Sequence, residues 1–106
     1  MKRQWLEEAR ETGEDDIYAG KRQQQRFTWH AQLEIRVTSG RGHRETYFAY
    51  GRDISEAGIR FFSKQLIEPG TEATVVTPGQ TGGVAVVIRH CTQTVNGYLI
   101  GADFVD

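Results

Sequence analysis

The stretch Phe27-Thr28-Trp29-His30-Ala31-Gln32-Leu33-Glu34-Ile35-Arg36-Val37-Thr38 alternates apolar and polar side chains without a break. A period of two belongs to a β-strand that is dry on one face and wet on the other. The spacing predicts one uninterrupted strand from Phe27 through Val37. Downstream, Ser39-Gly40-Arg41-Gly42-His43 reads as a turn, and Glu45 to Tyr50 returns as a second, aromatic-rich strand. Asp53-Ile54-Ser55-Glu56-Ala57-Gly58 interrupts the pattern, and Ile59-Arg60-Phe61 resumes it. Turns at residues 68–71 and 78–83 lead to the short apolar runs 73–76 and 84–88. Asn96-Gly97, a favoured pair for a tight hairpin, separates residues 89–95 from 98–104.

Upstream of the decisive stretch, Gly20-Lys21-Arg22-Gln23-Gln24-Gln25-Arg26 is polar and pliable. Before it, Trp5, Leu6 and Ala9 sit at near-helical spacing among Glu and Arg, which predicts a short N-terminal helix. Gly13 and the acidic run Glu14-Asp15-Asp16 should end it. The expected class is all-β, an antiparallel barrel of six to seven strands with this helix as an appendage. The expected division is residues 1–19 as helix and acidic linker and residues 20–106 as barrel.

At 106 residues, with 38% hydrophobic and 25% charged side chains, the chain suits one domain with a modest core. No stretch approaches the roughly 20 apolar residues of a bilayer span. The first residues, Met1-Lys2-Arg3-Gln4-Trp5-Leu6-Glu7-Glu8, lack the apolar core of a secretory signal. The lone cysteine, Cys91, has no internal disulfide partner, as is usual in a reducing compartment. These features predict a soluble cytoplasmic domain.

Net charge is −1, yet the charges are segregated: residues 1–20 sum to −3, residues 21–64 to +5, and residues 65–106 to −3. The basic middle suits an anionic ligand, while the small total argues against a general DNA-coating protein.

Two motifs lie in or beside that basic segment. Arg22-x-x-x-Arg26 carries no weight alone, because in an arginine-rich chain such a pair is expected roughly once by chance. Asp53-x-Ser55-x-x-Gly58 has a chance expectation of roughly 0.015 at this composition, and it falls between two predicted strands, where ligand contacts concentrate. In this order, with Asn96-Gly97-Tyr98-Leu99-Ile100-Gly101-Ala102-Asp103-Phe104 as the closing hairpin, the sequence resembles the PilZ domain family over about residues 20–104. The resemblance implies a small β-barrel that binds the bacterial second messenger cyclic di-GMP.

That ligand carries two phosphate charges and two guanines. A guanidinium fork from Arg22 or Arg26 matches guanine O6 and N7, clamps a phosphate, or stacks on the purine face. The Asp53 carboxylate, an acceptor only, suits guanine N1 and N2 donors. Ser55 offers a hydroxyl to a phosphate or to its own loop, and Gly58 offers a positive φ or a close approach of ligand. In the family a basic residue before the first arginine favours an intercalated pair of nucleotides over one, and Lys21 stands there. Many members continue into a C-terminal helix that covers an open end of the barrel. Here residues 5–9, or a partner subunit, are expected to supply that cover.

Other readings remain beside this one. Asp53 and Ser55 can simply shape a turn. Arg60 either lines the site or is a solvated strand residue. Adjacent strand residues point to opposite faces, so His90 and Cys91 make no metal pair, and no metal or other cofactor is expected. Trp29 is expected in the core, His30 and His43 outside it. No paired carboxylates and no nucleophile with a nearby base stand out, so no enzymatic activity is expected. The reading is a binding module that acts on an unidentified effector protein. A small barrel binding single-stranded nucleic acid, with Tyr47, Phe48 and Tyr50 as stacking platforms, is the first alternative. A degenerate member acting only in protein interaction is the second.

Overall fold

The computed structural model describes residues 1–12, 25–38 and 42–105. One helix, α1 (Lys2–Thr12), precedes seven strands: β1 (Phe27–Thr28), β2 (Gln32–Thr38), β3 (Arg44–Ile54), β4 (Gly58–Ser63), β5 (Glu72–Val76), β6 (Val84–Thr94) and β7 (Gly97–Phe104). Every pairing is antiparallel. Strands β2, β5, β6, β7, β4 and β3 follow one another around a closed barrel, and β1 adds to the end of β3. Closure leaves these six strands without a free edge. Among the described residues no helix is long and apolar enough to cross a membrane.

The alternation of the sequence becomes the two faces of the barrel. Leu33 and Ile35 on β2, Ile59 and Phe61 on β4, Val86 and Ile88 on β6, and Ile100 and Ala102 on β7 point inward and are buried. Each such aliphatic side chain contributes about 1.5–3 kcal/mol. Cys91 packs against the same core as a small apolar group.

Helix α1 turns Trp5, Leu6 and Ala9 into that core, all three buried. The Trp5 ring lies 5.1 Å from that of Trp29. Residues 5–9 therefore cover apolar surface beside Trp29, and Lys2 and Arg10 place their cations over the rings of Phe104 and Phe27.

Two expectations need correction. The predicted strand from Phe27 to Val37 is broken, because residues 29–31 lie between β1 and β2. Thr28 faces Asp53 and Gln32 faces Tyr50, so three residues on one side oppose two on the other. The crossing is held by Trp29 N–H to the Arg52 carbonyl (2.9 Å) and Gly51 N–H to the Ala31 carbonyl (2.7 Å). Strict alternation conceals this irregularity, since it comes from the partner strand. The second correction is the last hairpin. Thr94 pairs with Gly97, so the two-residue turn is Val95-Asn96, and Gly97 is already the first residue of β7.

Candidate functional site

The bulge opposite residues 29–31 builds the site. On β3, Gly51 pairs with Phe61, whose side chain is in the core, whereas Asp53 pairs with Arg60. Arg52 is the extra residue between them. Alternation from Ala49 and Gly51 would aim Asp53 into the barrel. The inserted residue instead turns it to the outer face, beside Thr28 and Arg60, and returns Ile54 to the core opposite Ile59. Re-aiming one side chain is the usual consequence of a bulge, and here it spares the core a charge.

Asp53 is nonetheless buried, 5% exposed, because arginines cover it. Arg60 donates Nε to both carboxylate oxygens at 2.9 Å and Nη2 to Oδ2 at 2.6 Å. Arg26 donates Nη1 to Oδ1 at 2.9 Å. The Arg52 Nε lies 4.0 Å from Oδ2. Three guanidinium groups thus converge on a single carboxylate, and the cluster carries an excess of positive charge in a half-sheltered place. Such a cluster favours an anion with planar hydrogen-bonding edges.

Ser55 and Gly58 organise the loop that follows. The Ser55 hydroxyl accepts the backbone N–H groups of Ala57 (3.2 Å) and Gly58 (3.3 Å), and the Ser55 N–H donates to the Gly58 carbonyl at 2.9 Å. Ser55 is 2% exposed, so in this state its hydroxyl serves its own loop. Gly58 does not have the positive φ anticipated for it. Its role is close approach, to a strand: a Cβ there would stand 2.1 Å from the Ala102 carbonyl oxygen on β7. Lys21 and Arg22 lie outside the described residues.

Arg60 is the partner whose role the sequence left open. Alternation put it on the face opposite Ile59 and Phe61, but its register against Asp53 could not be read from the chain. The row continues across β7 and β6, where Arg60 faces Gly101 and Gly101 faces His90. The His90 ring lies over Gly101, its Nε2 2.1 Å from where a Cβ would be. On the other side, Arg10 of α1 reaches Glu56 in the motif loop at 3.4 Å.

Three aromatic residues read as one stacking platform do not share a face. Tyr47 packs against the core cluster and donates its hydroxyl to Glu45, while Phe48 and Tyr50 stand on the outer face. His30 and His43 are exposed and Trp29 is buried, as expected. Among the described residues no group of His, Cys, Asp and Glu is placed to hold a metal.

Comparison with known proteins meets this geometry from the other side. Among solved structures, the fold is similar to that in "Structure of K. pneumonia MrkH-c-di-GMP complex", with a TM-score of 0.56 and 18% sequence identity. The match covers 80% of this chain and 44% of that one, so this chain spans less than half of that protein. Comparison with curated protein sequences gives no match. The family model of the PilZ domain matches residues 20–106, which takes in the whole barrel and both arginine-bearing and aspartate-bearing motifs, and the chain belongs to the PilZ domain family.

Proposed function

We propose that this chain is a non-catalytic receptor module for cyclic di-GMP, held between the Arg22-x-x-x-Arg26 segment and the Asp53-x-Ser55-x-x-Gly58 loop. The observation that carries the reading is the convergence of Arg26, Arg60 and Arg52 on the Asp53 carboxylate. Family membership and the likeness to a cyclic di-GMP complex support it.

Arg26 holds Asp53 by one N–H only, while Arg60 holds it from the side with two nitrogens. Arg26 is the weaker-held partner. A phosphate or guanine edge takes the Arg26 fork, which frees lone pairs on Asp53 Oδ1 for the guanine N1 and N2 donors. Arg60 stays and keeps the carboxylate aimed. Ser55 holds the loop closed beside it. Lys21 and Arg22 supply further positive charge from the segment before β1, and Lys21 favours an intercalated pair of nucleotides. The bound state then acts on an effector protein.

Isothermal titration with cyclic di-GMP tests this directly. Wild type should bind with one or two nucleotides per chain, two being the expectation from Lys21. Arg26→Ala and Asp53→Ala should each weaken binding about 5- to 150-fold, the equivalent of about 1–3 kcal/mol for one bidentate contact. Equal affinity of either variant and wild type refutes the assignment.

A further inference from the structure

The outer face of β3 and β4 carries an apolar patch beside the arginine cluster. Phe48, Tyr50 and Phe62 stand on it 73, 62 and 43% exposed. Together with Val95, 98% exposed in the turn between β6 and β7, they line an open groove of about 600 Å³. Contiguous apolar surface rimmed by polar groups marks an interaction site.

The charge around the groove has one sign. The acidic side chains on this face are already matched, Glu34 by Arg36 at 3.3 Å and Asp53 by Arg60. Lys64, in the groove wall, and Arg44, on the same face of β3 as Phe48, have no ion-pair partner among the described residues. Arg52 places its guanidinium 5.9 Å from the centre of the Phe62 ring. The groove is therefore apolar in its floor, with the Lys64 cation in its wall and the Arg44 cation further along the same face of β3.

We infer that it docks an acidic amphipathic segment of a partner protein. Apolar anchors at helical spacing sit between the β3–β4 rings and Val95, and flanking Asp or Glu side chains meet Lys64 and Arg44. The complementary charge sets which apolar segments are accepted, since a basic one would meet the like charges of Lys64 and Arg44. A nucleic acid strand fits less well. The free cations here border a short groove and do not track a line of phosphates, and one ring face, on Phe62, is already occupied by Arg52.

The inference does not depend on the nucleotide reading, and its test needs no nucleotide. A random 16-residue peptide display library is selected on the wild-type protein, with counter-selection on Phe48→Ser/Tyr50→Ser. Both side chains are exposed, so that variant should melt within a few degrees of wild type, and circular dichroism checks it. Enriched peptides should carry two or three large apolar residues at i, i+3 or i+4 spacing among Asp and Glu. Their affinity should fall at least tenfold on Phe48→Ser/Tyr50→Ser and on Arg44→Glu/Lys64→Glu. The proposal is overturned if no face-dependent sequences emerge, if those that do lack acidic residues, or if charge reversal leaves affinity unchanged. It is equally overturned if a ten-nucleotide oligothymidylate displaces the peptides, or if sedimentation shows wild type self-associating through Phe48 and Tyr50.

Discussion

Arg26 and Asp53, 27 positions apart in the chain, are joined by a 2.9 Å hydrogen-bonded ion pair. Arg26 of the first motif is thus docked on Asp53 of the second. One consequence separates a binding role for Arg26 from a structural one. Arg60 still satisfies Asp53 after Arg26→Ala, so urea denaturation should show a loss of only about 1 kcal/mol, as for a partly exposed pair. Titration with cyclic di-GMP should show a much larger relative effect.

Removing Arg60 is a different matter. Arg60→Ala leaves a buried carboxylate with its weaker partner, and unfolding free energy should drop by about 2–3 kcal/mol. The double variant Arg60→Ala/Asp53→Ala should lose clearly less than the sum of the two single losses, because with both halves gone neither Asp53 nor Arg60 is left as a charge without the other. Additive losses would show that the bidentate geometry contributes nothing of its own.

Two glycines on neighbouring strands should respond unequally to the same methyl group. Gly58→Ala drives a Cβ into the Ala102 backbone carbonyl, which cannot move without shifting β7, and should cost about 3 kcal/mol or more. Gly101→Ala meets only the exposed His90 ring, which swings aside, and should cost less than about 1 kcal/mol. Denaturation midpoints of the two variants decide it.

Helix α1 is predicted to be part of the stability of the barrel. Trp5 is 1% exposed against Trp29, and Trp5→Ala should cost about 3–5 kcal/mol. The same substitution should be followed in tryptophan fluorescence as a loss of the buried indole signal. A variant that melts at the wild-type temperature would show the helix to be loosely attached.

Alkaline pH reports on Tyr47. Its hydrogen bond to Glu45, then burial, then the charge of that carboxylate raise it above the ordinary value of 10.0. The folded state holds the phenolic proton more tightly than the unfolded chain does. Its contribution to stability is therefore complete below about pH 10 and is lost as pH rises through the elevated folded value. Absorbance titration should show late ionisation of Tyr47, lost in Tyr47→Phe and shifted down in Glu45→Gln.

By itself the sequence determined what local chemistry controls. Period-two alternation placed Leu33, Ile35 and Trp29 inside and His30 outside, and Trp5, Leu6 and Ala9 marked a helix with one apolar stripe. The Asp53-x-Ser55-x-x-Gly58 pattern named the loop, whose backbone Ser55 constrains locally. What only the tertiary structure decided is the direction of Asp53. The bulge at Arg52 is a property of register between strands, and nothing within residues 51–54 announces that a partner strand will oppose two residues to three. The same cause hid the pairing with Arg60, the interruption at residues 29–31, the reason for glycine at 58, and the common face of Phe48, Tyr50 and Phe62. Register is set by the packing of the whole barrel, so these side chains acquire their neighbours only when it closes.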